Sequence, residues 1–164
     1  CDRVRMANIA QMVNVLQAVI LTDGDRLLLT PTYHVFNMYK VHQDAELLPV
    51  VLECDEYRMG EEALPQISAS ASVDKDGKVH ISLCNLSHEA SADIDCLLGG
   101  MPVFKGGVPS SVSGTILTAP VMNAHNTFDD PENIKPAAFN GASLKDGNLK
   151  VVLPAKSVTV LTIE

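Results

Sequence analysis

No tryptophan occurs in the 164 residues, and only 3 Tyr and 4 Phe supply aromatic rings. A stand-alone sugar-binding platform, which stacks ligands on aromatic faces, is therefore disfavoured. Basic charge is also scarce: 12 Lys and Arg stand against 20 Asp and Glu, for a formal net charge of −8. With no basic stripe, nucleic acid and anionic membrane are disfavoured as partners. No apolar run approaches the roughly 20 residues that span a bilayer. None of the four cysteines, Cys1, Cys54, Cys84 and Cys96, lies in a Cys-x-x-Cys pair. A domain of this size needs no covalent staples, so reduced, partly buried thiols are expected, which leans towards a reducing compartment. No signal peptide is visible, and the first residue is Cys1 rather than Met. The chain is therefore expected to start inside a longer gene product or to follow processing.

Hydrophobic residues make up 46% of the chain, enough for a real core and far from the composition of a disordered segment. The length suits one domain, or a small domain with part of another attached. From Val4 to Val15 the chain is apolar and nearly uncharged, with the amides of Gln11 and Asn14 near its end. A buried amide needs hydrogen-bond partners, so Gln11 either satisfies its own backbone or points at a ligand. Ile9, Met12, Val13, Leu16, Val19 and Ile20 recur at helical spacing, yet a buried parallel strand ending near Gln11 shows a similar run. Residues 18–30 read as a β-hairpin turning at Asp23-Gly24. Thr30-Pro31 then opens a helix, with Thr30 as N-cap and Pro31 at the first helical position. Val35, Phe36, Tyr39 and His42 share one face of that helix, which should stop before Pro49.

Beyond Pro49 short β-rich runs alternate with turn residues. Strands are expected near Val50–Arg58, Gln66–Val73, Lys78–Asn85, Ala90–Leu98, Ser111–Thr118, Ser143–Leu144, Asn148–Leu153 and Ser157–Ile163. Asp76-Gly77 and Asp146-Gly147 carry the same turn chemistry as Asp23-Gly24. Strict alternation over Gln66–Val73 leaves one face polar and half-solvated. Asn123–Phe139 shows no strand pattern and reads as a structured loop. Many short antiparallel strands at this spacing make a sandwich of jelly-roll type.

Complete catalytic constellations are missing. His34, His42, His80, His88 and His125 include no pair at the helical zinc spacing, and no Glu-x-x-His element occurs, so no metal site is expected. Asp74–Gly77 looks like half a calcium loop without its later acidic ligand, and a hairpin turn explains it. There is no Gly-x-Ser-x-Gly elbow. Glu53, Asp55, Glu56, Glu61, Glu62, Asp129, Asp130 and Glu132 cluster where solvated acids are normal. No cofactor is implied.

Four stretches, in order from end to end, resemble one family. Asp2–Gln17 resembles the final barrel segment of the α-L-arabinofuranosidases of glycoside hydrolase family 51, and Leu29–Gln43 their last barrel helix. Asn123–Pro136 resembles their late loop, and Leu153–Leu161 their closing strands. The resemblance implies a mainly β chain: a C-terminal jelly-roll-like β-sandwich (49–164) preceded by the last βα segment of a (β/α)8 barrel (1–48). It makes Val4–Ala10 the eighth barrel strand and puts Gln11 at its C-terminal end, where barrel enzymes build active sites. In the family a glutamine at this position hydrogen-bonds the arabinofuranosyl unit in the −1 subsite, a role carried to Gln11, with Asn14 a weaker neighbour.

Such enzymes are retaining glycosidases that use two glutamates. Both are expected upstream of Cys1, so no catalytic residue is expected within this chain. The implied partner is an arabinose-containing oligosaccharide or polysaccharide of the arabinan or arabinoxylan type. The implied parent is exo-acting and homo-oligomeric, often hexameric in the family. A cytoplasmic location is favoured over a periplasmic or secreted one. The competing expectations are a non-catalytic carbohydrate-binding or oligomerisation module, and a clan member with another pentose specificity.

Overall fold

The structure, a computed structural model, describes residues 8–9, 12–98 and 109–164. The earliest hairpin pairs β1 (Ile20–Asp23) with β2 (Arg26–Leu29), Asp23 facing Arg26. Its central turn residues are thus Gly24 and Asp25, one step later than the expected Asp23-Gly24. Gly24, at φ +61°, takes the first central position, as a type II′ turn requires. Helix α1 (Pro31–Tyr39) starts at the expected cap: the Tyr33 N–H donates to Thr30 Oγ1 at 3.4 Å. It is shorter than expected, giving way to a 3-10 turn (Lys40–His42) and then β3 (Glu46–Leu48).

The helical periodicity across residues 12–20 does not become a helix. Backbone groups here turn to the hairpin instead: Val19 and Ile20 donate to the Met12 carbonyl at 3.0 and 3.1 Å, and Asn14 donates to that of Ile20 at 3.1 Å. Asn14 and Gln17 adopt φ of +55° and +65°, and Leu16 is 93% exposed. Gln11, and all of the expected strand Val4–Ala10 except residues 8 and 9, lie outside the described residues.

The remaining strands are β4 (Glu56–Met59), β5 (Glu62–Pro65), β6 (Ile67–Val73), β7 (Val79–Asn85), β8 (Ala92–Leu97), β9 (Val112–Thr118), β10 (Ala137–Ala138), β11 (Ala142–Lys145), β12 (Asn148–Leu153) and β13 (Ser157–Ile163). A six-stranded antiparallel sheet runs β10-β9-β13-β7-β6-β3, and a three-stranded one runs β11-β12-β8. β4 and β5 form a separate hairpin around Gly60-Glu61; the expected strand Val50–Arg58 joined most of β4 to Val50–Asp55, and β5 was not expected. Val50–Asp55 has the right composition for a strand but takes no ladder partner among the described strands, and Val51 is 93% exposed. The expected loop 123–139 likewise ends in the short edge strand β10. The Asp-Gly turns differ in type. Asp146 and Gly147, both at positive φ, make the two-residue type I′ turn. At Asp74–Lys78 the Gly77 N–H donates to the Asp74 carbonyl at 3.1 Å, closing a three-residue loop.

Register explains the layers. Along β6, β7 and β13 alternate side chains point to opposite faces. Ile67, Ala71, Val79, Ile81, Leu83, Leu161 and Ile163 meet Leu149, Val151 and Leu153 of the smaller sheet in one core. On the other face Leu117 and Val160 meet Met38 of the helix and Ile134 of the late loop. The six-stranded sheet is therefore buried on both faces near its centre: a helix and loop lie on one side, a second sheet on the other. Phe139 wedges between the sheets beside two glycines. A Cβ on Gly114 would meet Phe139 Cβ at 3.2 Å, and one on Gly141 would meet Phe139 Cζ at 2.6 Å. At the core's centre the Thr159 side chain is fully buried, and its hydroxyl has no hydrogen-bond partner.

An orphaned hydroxyl of this kind costs about 1–3 kcal/mol. Thr159→Val keeps the shape and removes the polar atom, so it is expected to leave stability unchanged or raise it by about 1 kcal/mol, read by urea unfolding. A loss above about 1 kcal/mol would show that the hydroxyl is satisfied in solution.

Candidate functional site

The hairpin, the helix cap and the late loop are sutured into one face. Thr30 Oγ1, besides capping the helix, lies 2.8 and 3.0 Å from the carbonyl oxygens of Ala18 and Val19. Asn126, 5% exposed, donates to the Leu29 and Ile134 carbonyls at 2.9 Å each and accepts from the Ile134 N–H at 2.7 Å. The late loop is thereby fastened to the strand that leads into the helix. At the hairpin's far end the Arg26 guanidinium lies 4.7 Å from the centre of the Phe128 ring and pairs with Asp23.

Of the expected site amides, Gln11 lies outside the described residues. Asn14 is exposed, and its carboxamide is committed to the hairpin: Oδ1 accepts from the Thr22 N–H at 2.7 Å and Nδ2 donates to Thr22 Oγ1 at 2.9 Å. A positive φ at Asn14 suits this local bonding, which engages both polar atoms of its carboxamide. Glu53, Asp55, Glu56, Glu61, Glu62, Asp129, Asp130 and Glu132 are all exposed. Cys54 is exposed as well, against the expectation of a partly buried thiol. Cys84 and Cys96 are partly buried, and burial pushes the Cys96 thiol up. Among the described residues no group of three or more His, Cys, Asp or Glu side chains is gathered to hold a metal.

A polar cluster that the sequence reading missed lies between the helix end and the large sheet. His42 Nδ1 sits 2.7 Å from Ser72 Oγ, and its Nε2 bonds Ser82 Oγ. Tyr39 Oη is 3.4 Å from Cys84 Sγ, and this burial and contact push the phenol well above its usual range. His80 Nε2 meets Asp74 Oδ2 at 2.9 Å while its Nδ1 faces Thr162 Oγ1 at 3.1 Å. The signal was present in the alternation Ser68-Ser70-Ser72, whose last member is buried under His42 while Ser68 and Ser70 are exposed. Helix spacing explains which residues reach the sheet: Val35, Met38, Tyr39 and His42 do, whereas Phe36, one step round, is 52% exposed. With two hydroxyls filling both His42 ring nitrogens, the cluster docks the end of the helical segment on the sheet.

A cavity of about 1100 Å³ opens between the two sheets. Its walls are core side chains such as Ile67, Ile81, Ile94 and Val151, with the exposed Glu53 and Asp55 alongside. Gln66, Asp93 and Asp95 also line it, so the cavity joins an apolar floor to a polar rim.

The sandwich flanked by a capped helix, and the loop fastened to the preceding hairpin, find their counterparts among known proteins. Residues 1–157 match the family described as the alpha-L-arabinofuranosidase C-terminal domain, and the chain belongs to that family. An intracellular exo-alpha-L-arabinofuranosidase of Bacteroides ovatus is 44% identical over 164 residues, covering 99% of this chain and 31% of its own length. The crystal structure of the family 51 arabinofuranosidase from Xanthomonas axonopodis pv. citri superimposes with a TM-score of 0.92 at 47% identity, covering 99% of this chain and 32% of that one. A family 51 enzyme from Bifidobacterium longum, 21% identical with a TM-score of 0.84 over 100% of this chain and 32% of its own, shares the fold. The chain thus spans about a third of the first relatives it matches.

Burial, and next the neighbouring His80, hold the His42 pKa below its ordinary 6.5. Burial lowers His34 too, against Glu132. The unfolded chain then binds protons more readily, so stability is full above about pH 6.5 and falls as the pH drops towards the folded values. Asp74, held low chiefly by its bond to His80 and also by the Lys78 and Asp76 N–H groups, loses its contribution at still lower pH. Urea unfolding at pH 7.5 and 5.5 is expected to show the lower stability at 5.5, with a smaller difference in His42→Asn. An undiminished difference would remove His42 from the account.

Proposed function

We propose that this chain is the C-terminal part of a retaining, exo-acting α-L-arabinofuranosidase that removes terminal arabinofuranosyl units from arabinan- or arabinoxylan-type glycans. Residues 1–48 would close the catalytic barrel, and 49–164 form the sandwich that supports it. The observation carrying this reading is the match of almost the whole chain, at 47% identity and a TM-score of 0.92, to a family 51 arabinofuranosidase. In this reading two glutamates outside the chain do the bond-breaking, one protonating the leaving oxygen and the other attacking the anomeric carbon. Gln11, at the end of the last barrel strand, donates and accepts hydrogen bonds with the hydroxyls of the sugar in the −1 subsite. Asn14 and the hairpin hold the backbone that follows it.

The relatives from Bacteroides ovatus and Streptomyces lividans carry names that include "intracellular", which supports a cytoplasmic setting. Among the described residues no helix is long and apolar enough to cross a membrane. A homo-oligomeric parent is the accompanying assembly.

The full-length protein is expected to release arabinose from an aryl α-L-arabinofuranoside, and residues 1–164 alone to release none. Turnover by the isolated chain would place the catalytic carboxylates inside it, and an inactive full-length protein would end the proposal. In the full-length enzyme Gln11→Ala should lower kcat/KM by about 10- to 100-fold, as a lost transition-state hydrogen bond of roughly 1.4–2.7 kcal/mol does. Its melting temperature should change little; a large drop with kcat/KM preserved would make Gln11 a packing amide instead.

A further inference from the structure

We propose that the tip of the β1–β2 hairpin and the late loop together form a subsite for the glycan on the leaving-group side of the scissile bond, with Asp23, Arg26 and Phe128 as its contacting groups. This rests on the arabinofuranosidase reading. If Val4–Ala10 is the last barrel strand and α1 the last barrel helix, everything between them is a βα loop, and such loops form the catalytic face of the barrel. The hairpin therefore stands on that face. Its root adjoins the −1 subsite, because Met12, next in the chain after Gln11, accepts from the Val19 and Ile20 N–H groups at 3.0 and 3.1 Å. Three strand steps separate Ile20 from Asp23, about 10 Å. On that reading the tip stands about 10 Å beyond the hairpin root, a separation that suits the sugars following the terminal one.

The sandwich reaches the same place by a separate route. The late loop, fastened by Asn126 to the Leu29 and Ile134 carbonyls, brings the Phe128 ring under the Arg26 guanidinium at 4.7 Å. The side chains of Arg26 and Asp23 are 51% and 62% exposed, and Phe128 is half-buried. A guanidinium donates to sugar hydroxyls and a carboxylate accepts from them, while the Phe128 ring adds apolar surface for the C–H groups of a pentose. Exposed pairs of this type add little to stability, so the arrangement is better suited to recognition than to holding the fold. In this account the sandwich shapes the far end of the substrate cleft through its late loop, while taking no part in the chemistry.

The test uses the full-length enzyme with Arg26→Gln and, separately, Phe128→Leu, which keeps an apolar side chain under the hairpin. For each, kcat/KM is measured on arabinotriose and on 4-nitrophenyl α-L-arabinofuranoside. The ratio of the first to the second is expected to fall about two- to tenfold, mostly through KM on arabinotriose. A general packing defect lowers both values together and leaves the ratio unchanged; an unchanged ratio in both variants overturns the proposal. An unsubstituted enzyme that fails to cleave the aryl substrate overturns the underlying function, and this subsite with it.

Discussion

Strand β13 is paired along both edges, to β7 and to β9, and closed over on both faces. Thr159, Leu161 and Ile163 point one way into the sandwich core, and Val160 points the other way towards the helix. A strand buried on all sides must bring all of its backbone hydrogen bonds with it, and the two complete ladders do so. Every other layer is placed by reference to it. The three-stranded sheet covers one face, and α1 with the late loop covers the opposite one. The segment leading out of the expected barrel is thus built into the sandwich, and the two share one sheet as their common wall.

That shared wall ties the sandwich to the hairpin and helix that precede it. Thr30 caps the helix while bonding the carbonyls of Ala18 and Val19, so helix and hairpin root are placed by one hydroxyl. His42 is gripped by two serines at the other end of the same helix. Between these fastenings the helix cannot shift without breaking polar contacts at both ends. The stretch that follows Gln11 inherits that rigidity through the Met12 carbonyl and the Asn14–Thr22 pair. The substrate-binding role proposed for Gln11 calls for support of this kind.

Much of this was legible beforehand wherever the physics is local. Thr30-Pro31 predicts the helix start because cap and proline act on their own turn. The strands Gln66–Val73 and Asn148–Leu153 were legible because alternation reports a buried and a solvated face, and Ser157–Ile163 because a β-branched run follows a turn. The failures are as physical. Helical spacing over Ile9–Ile20 left helix and strand open, and from Met12 to Ile20 the backbone bonds the hairpin instead of forming a helix. Val50–Asp55 looked like a strand because composition cannot say whether a ladder partner exists. The turn at Gly24 slipped by one residue because the register of the strands, set across the pair, chooses which two residues lie at the centre.

By itself the sequence determined the alternation of core and solvent faces, the turn-forming and capping positions, and the four stretches that point to the arabinofuranosidase family, since each depends on residues close together in the chain. Only the tertiary structure decided what those residues touch. It turned the Asn14 amide inward to Thr22, set Phe36 out of the helix–sheet contact, buried Ser72 beneath His42 and carried Phe128 to the hairpin tip under Arg26. These pairings join residues from 8 to about a hundred positions apart, and the distant ones form only when separate elements have packed together.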